Sequence, residues 1–130
     1  DGMKLLDGGC TDSIPVEKFR EMGYTKTVVV LTRNRGYGKK PENEKLTSIY
    51  YRHYPNFVEA LKTRHMRYNE TVQKIEELER EGKIFVIRPS QELTIGRTER
   101  NPIKLQETYE TGRRDALCRM KDLIEWWSKS

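Results

Sequence analysis

Two short runs constrain the fold of this chain more than anything else in it: T-V-V-V-L-T at residues 27–32 and I-F-V-I-R at residues 84–88. Each is rich in β-branched or aromatic residues and almost continuously apolar, the pattern of a strand covered on both faces in a parallel sheet. About fifty residues lie between them. That separation rules out a tight hairpin and accommodates a helical crossover, so the two strands are expected to pair in parallel within an α/β fold.

The intervening segment supplies the helix. Val58, Leu61, His65, Tyr68, Val72, Ile75 and Leu78 recur at steps of three and four, which places them on one face of a helix running from Phe57 to about Glu81, with Gly82 as its stop. A stripe of this kind is core, and His65 within it is expected to be a hydrogen-bonded structural histidine. Glu44 to Tyr54 reads as a second helix, with Tyr50, Tyr51 and Tyr54 on a sticky face and Pro55 interrupting it. Pro15 to about Met22 reads as a short helix, with Asp12 and Ser13 as capping oxygens and Gly23 closing its far end. From about Pro102 a last helix carries Leu105, Tyr109, Leu117, Met120, Leu123, Ile124 and Trp127 along one side, expected to dock on the core. Gly112 is expected to weaken its middle.

Size and charge exclude several classes. The chain has 130 residues, enough for one core, with 35% hydrophobic and 35% charged residues and a mean hydropathy of −0.89. It is polar for a globular domain, yet its β-branched and aromatic runs separate it from disordered sequences. The net charge of +5 is too modest to indicate nucleic-acid binding. The basic loop R-N-R-G-Y-G-K-K at 33–40 is expected to be a solvated loop, the alternative being contact with anionic headgroups or phosphates. Cys10 and Cys118 show no Cys-x-x-Cys spacing and are expected to be reduced thiols of an intracellular, cytoplasmic protein; His53 has no partner at metal-ligand spacing. No metal and no cofactor is expected. The longest apolar run, Val28 to Leu31, falls far short of the ~18 residues of a membrane span.

The chemistry is expected in the opening stretch, D-G-M-K-L-L-D-G-G-C-T-D-S-I-P. Met3, Leu5 and Leu6 suggest a short strand with Asp7 at its end, and Gly8 and Gly9 allow positive φ or a close approach of another segment. On spacing alone Asp7 either caps the helix beyond the glycine turn or is a carboxylate presented to a neighbouring loop.

The run L-L-D-G-G-C-T-D-S-I-P-V-E-K followed by T-V-V-V-L-T-R resembles the Asp-Gly-Gly segment of the patatin-like phospholipases, in particular a bacterial subgroup. Y-P-N-F-V-E-A-L-K-T-R-H, Y-N-E-T, G-K-I-F-V-I-R-P and N-P-I-K-L-Q-E-T-Y-E-T-G are similar to the same subgroup, so the resemblance extends over nearly the whole chain. It implies a lipid acyl hydrolase in which Asp7 is the proton acceptor of a Ser-Asp pair, supported by Gly8 and Gly9. It implies that residues 1–88 are the C-terminal part of a three-layer α/β/α domain with a mainly parallel sheet, followed by a mostly helical extension at 89–130. No Gly-x-Ser-x-Gly occurs, because Ser13, Ser48, Ser90, Ser128 and Ser130 all lack glycines two residues to either side. The nucleophile and the oxyanion glycines are therefore expected in an N-terminal half outside this chain, and the chain alone is expected to be inactive. Without that half, the faces of Val28–Val30 and Phe85–Ile87 are expected to be uncovered. A carboxylate in water is a weak base, so the role asks for partial desolvation of Asp7. The implied partners are a lipid acyl ester and the missing half, with peripheral contact to a membrane surface compatible and no nucleic acid. The alternative is a non-catalytic regulatory or partner-binding module that works through the long helix and the Trp-bearing terminus.

Overall fold

A computed structural model describes residues 2, 5–41, 43–96 and 98–129, without the side chains of residues 44 and 45. The chain is mixed helix and strand around a small two-stranded parallel sheet: α1 (Val16–Glu21), β1 (Val28–Val30), α2 (Glu44–Tyr50), α3 (Pro55–Arg80), β2 (Phe85–Ile87) and α4 (Pro102–Lys129). It divides into two compact units, one formed by residues 1–23 with 38–77 and the other by residues 24–37 with 78–130. The boundary expected after residue 88 falls within the second unit.

In the first unit, the strand expected from Met3, Leu5 and Leu6 does not form where it is described. Leu5 and Leu6 are irregular and exposed, and no strand among the described residues lies beside them to accept a ladder. Met3 lies outside the described residues. Pro15 precedes α1 as its N-cap residue, and Asp12 accepts from the Ile14 amide at 3.2 Å instead of capping the helix, which has no side-chain cap. Gly23 closes the helix at φ +93°, its amide bonding Arg20 O at 2.9 Å. The helix expected over Glu44 to Tyr54 stops at Tyr50. Pro55, expected to interrupt it, instead opens α3, where its missing N–H costs nothing. Between the two helices, Tyr51 meets the Tyr50 and Phe57 rings edge-on at 4.8 and 4.9 Å.

The apolar stripe of α3 is inward as expected: Val58, Leu61, His65, Tyr68 and Val72 are half-buried, and Ile75 is 0% exposed. Asn69, one residue from that stripe, accepts from the Lys39 amide at 2.7 Å and donates to Lys39 O at 3.1 Å, which ties the end of the basic loop to the helix.

In the second unit, the last turn of α3 buries Leu78 and closes at Gly82, whose φ is +69°. The Gly82 amide bonds Glu79 O at 3.0 Å and the Lys83 amide bonds Leu78 O at 2.9 Å, the paired closure of a Schellman motif. β1 and β2 then pair in parallel, Val28 with Phe85, Val29 with Val86 and Val30 with Ile87. Bonds from Phe85 N to Thr27 O and from Leu31 N to Ile87 O continue the ladder at both ends.

Burial of the two strands departs from the expectation in both directions. β1 is not covered on both faces, since Val29 is buried but Val30 is 68% exposed; a two-stranded sheet has too few neighbours to cover its second side. β2 was expected to lie bare without a further half, yet Phe85 and Val86 are buried. α4 supplies part of that cover: the Trp126 ring lies 5.9 Å from Phe85, and the Arg119 guanidinium sits over the Phe85 ring at 4.8 Å. Trp126 also donates its indole N–H to Gly82 O at 2.8 Å.

The docked side of α4 is thus the row through Thr111, Asp115, Arg119 and Trp126, and not the apolar row expected to face the core. Leu105, Tyr109, Leu117, Met120, Ile124 and Trp127 are all exposed, Tyr109 by 61%; of that row Leu123 alone is half-buried. Polar anchors have decided the rotation of the helix: Asp115 accepts from the Ser90 amide at 2.8 Å, and Trp126 reaches Gly82. Gly112, expected to weaken the helix, leaves it continuous from Pro102 to Lys129. The basic residues of the 33–37 loop are engaged within this unit: Arg33 lies over the Tyr37 ring at 4.9 Å, and Arg35 pairs with Glu79 at 2.9 Å, a carboxylate that also holds Arg88.

Candidate functional site

The loop from Asp7 to Ser13 is built from the local chemistry of its own side chains. Asp7 N-caps a 3₁₀ turn (Gly8–Cys10), its Oδ1 accepting from the Gly9 amide at 2.9 Å while its carbonyl accepts from the Cys10 amide at 3.1 Å. Neither Gly8 nor Gly9 has a positive φ, contrary to one use expected of them. Neither glycine is needed to make room for another segment: a Cβ on Gly9 would make only an ordinary contact with the carboxylate of Asp7 itself, 3.4 Å from Oδ1, and one on Gly8 would meet nothing within 4 Å. The amides of Thr11 and Asp12 both bond Gly8 O, at 3.0 and 2.9 Å, and Ser13 donates its hydroxyl to Gly9 O at 2.9 Å.

Arg64 on α3 fixes this loop to the rest of the first unit, its Nε donating to Gly9 O at 2.8 Å. The sequence reading gave Arg64 no role. Its signal was present, because a cation beside His65 borders the inward stripe, where a charged group needs a partner.

Asp7 is exposed, and among the described residues its Oδ2 takes no hydrogen bond. The desolvation that the resemblance asks for is therefore not supplied by the described residues. Asp12, five residues on, lines an open cavity of about 590 Å³ together with Thr11, Glu17, Arg67, Glu70 and Lys74. Ile14 is the one apolar residue of its lining, and the charged and hydroxyl-bearing residues around it set it apart from the predominantly apolar pocket that an acyl chain requires.

The remaining candidates are dispersed. Cys10 is half-buried in the first unit, and Cys118 is exposed in the second; both are free thiols. His53 accepts from Arg52 Nε at 3.2 Å. His65 is inward as expected, but its buried Nδ1 has no hydrogen-bond partner among the described residues, so it is not the fully satisfied structural histidine anticipated. No group of three His, Cys, Asp or Glu residues is arranged to hold a metal ion among the described residues. None of the described helices is long and apolar enough to cross a membrane.

Fold and loop together define a mixed α/β chain with a carboxylate-capped loop held on a long helix. The chain belongs to the family described as Domain of unknown function (DUF6363), which matches residues 54–128. The matched stretch takes in α3, β2 and α4 and lies wholly beyond the Asp7 loop. No curated protein and no solved structure matches the chain.

Proposed function

We propose that the chain is part of a serine hydrolase that cleaves acyl ester bonds of lipids, with Asp7 as proton acceptor for a serine carried outside residues 1–130. In this reading the two-stranded parallel sheet is the visible part of a larger three-layer α/β/α domain. The observation that carries the proposal is the Asp7 loop: a carboxylate with one oxygen fixed by the Gly9 amide and the other open, on a loop anchored through Arg64. Its sequence, L-L-D-G-G-C-T-D, resembles the patatin-like segment. The serine hydroxyl attacks the ester carbonyl while its proton passes to the open oxygen of Asp7. That proton then goes to the departing alkoxide, and a water molecule, deprotonated in the same way, releases the acyl group. The segment bringing the serine would also shield Asp7 from water and raise its strength as a base.

The test is Asp7→Asn in the complete protein. The amide oxygen still accepts from Gly9 N–H, so the fold is expected to melt near the parent temperature, while hydrolysis of a lipid ester falls about 10²- to 10⁴-fold. Asp12→Asn is the control. Full activity in Asp7→Asn with loss in Asp12→Asn would move the base to the residue that lines the cavity. Full activity in both would remove the Asp7 loop from the chemistry. A second reading, a non-catalytic partner-binding module, is favoured by the exposed apolar row of α4 and by a family match that omits Asp7. Ester hydrolysis that is lost on Asp7→Asn separates the two.

A further inference from the structure

We infer that a cavity beyond the carboxyl ends of β1 and β2 is a binding site for a phosphate monoester, held by three arginines. In open α/β sheets, ligands sit in the crevice outside the carboxyl ends of parallel strands, framed by the loops that leave them. Here both departing segments carry a guanidinium. Arg35 lies in the basic loop after β1, and Arg88 directly follows Ile87, the last residue of β2. Arg119 joins them from α4, on the same helix face as Asp115. These four residues, with Ser90 and Cys118, line an open cavity of about 370 Å³, and all belong to the second unit. The site is independent of Asp7, which belongs to the first.

The acids around these arginines offset them in number but not in hydrogen bonds. Glu79 accepts from both Arg35 and Arg88 through the same oxygen, so one carboxylate serves two forks. Arg119 donates to Asp122 at 2.8 Å, an exposed pair of the kind that contributes little and gives way to a stronger anion. Asp115, the one acid among the described residues of the cavity wall, accepts from the Ser90 amide at 2.8 Å. Among the described residues Arg35 bonds Glu79 alone and Arg119 bonds Asp122 alone, which leaves most donors of both forks open. The Ser90 hydroxyl has no partner among them either. The Arg119 guanidinium is held over the Phe85 ring at 4.8 Å, which fixes its place before a ligand arrives. A carboxylate ligand has two oxygens, matched by a single fork. A phosphate monoester presents three acceptor oxygens and close to two negative charges, the complement of forks arriving from two loops and a helix. The cavity is larger than a phosphate group and leaves room for the ester substituent.

Cys118 reports occupancy, because its exposed thiol lines the same cavity, and half-buried Cys10 in the first unit is the internal reference. Labelling by iodoacetamide is followed by mass spectrometry at constant ionic strength, with glycerol 3-phosphate, with acetate, or with phosphatidylcholine vesicles that contain or lack phosphatidic acid. Glycerol 3-phosphate is expected to slow the labelling of Cys118 several-fold and to leave Cys10 unchanged, while acetate protects neither. Protection by phosphatidic acid vesicles and not by glycerol 3-phosphate would assign the same site to a lipid headgroup. Arg35→Gln and Arg119→Lys are each expected to weaken the protecting ligand about tenfold, read in each variant as the ratio of rates with and without it. Both residues are partly exposed, and Arg88, whose side chain is 11% exposed, stays to hold Glu79, so circular dichroism should match the parent. Lys121→Gln removes a charge from the same helix outside the cavity and is expected to leave protection unchanged. Absence of protection by either phosphate source would overturn the proposal. So would equal protection by acetate, or a loss in Lys121→Gln as large as that in Arg35→Gln.

Discussion

Gly82 holds a backbone conformation that other residue types adopt only at a cost. Its φ of +69° lets the chain leave α3 at Arg80 and enter β2 at Phe85, and its carbonyl receives the Trp126 indole. A Cβ there would meet nothing within 4 Å, so the cost of adding one is conformational and not steric. Gly82→Ala is expected to destabilise the protein by about 1–2 kcal/mol, seen as a fall in melting temperature of roughly 3–8 °C without change in the circular dichroism of the folded state. An unchanged melting temperature would mean that the turn relaxes to negative φ. The Asp7 loop differs: neither of its glycines has a positive φ, and a Cβ on Gly9 would make only an ordinary contact with the Asp7 carboxylate.

At the scale of elements, the start of α4 shows how a polar helix end is secured. Asn101 caps it, Oδ1 accepting from the Ile103 amide at 3.0 Å, and Pro102 follows as the first helical residue. Ahead of the cap, Glu99 accepts from the Asn101 amide at 3.0 Å and the Arg100 amide at 2.9 Å, with Lys104 at 3.5 Å from its other oxygen. The bonds from Asn101 and Arg100, with the nearby Lys104 charge, hold the Glu99 carboxyl below its ordinary 4.5. The folded form thus favours the ionised group, so its stabilisation is complete above that ordinary value and is lost as pH falls through the lower, folded one. Acidification below about 4.5 is expected to lower the amide-exchange protection of Arg100 and Asn101, measured against their intrinsic rates at each pH, before the middle of α4 responds, and Glu99→Gln is expected to remove that acid dependence. If the variant keeps the same dependence, another carboxyl is responsible.

The helices and the paired strands were legible in sequence because their signals are local, whereas the strand expected at Leu5 and Leu6 did not form there and the facing of α4 was not legible. Val58 to Leu78 announce the inward stripe of α3 through spacing alone, and the two apolar runs announce the strands and their parallel pairing. The row from Leu105 to Trp127 is equally periodic, yet it faces outward. Two contacts far apart in sequence, Ser90 N with Asp115 and Trp126 with Gly82, set the rotation of α4, and periodicity contains neither. The same limit applies at the candidate site: Asp-Gly-Gly announces a turn, but Asp7 caps that 3₁₀ turn and not the helix beyond it, and the Arg64 anchor joins residues fifty-five positions apart.

For the molecule as a whole, the parallel pair has a kinetic consequence. Val28 and Phe85 meet although nearly sixty residues of chain separate them, and closing a loop of that length costs roughly 3–4 kcal/mol beyond a constant that every loop pays. A ladder of three residues per strand is a small return on that cost, while α3 needs no distant partner for its own hydrogen bonds. Native-state hydrogen exchange should therefore find the amides of Leu31 and Phe85 opening at lower free energy than those around Ile75; equal values would show that sheet and helix melt as one, and the reverse order would overturn the expectation. The strands by which the fold class is recognised are then the last part to assemble and the first to come undone, so damage to this protein begins where its architecture is defined.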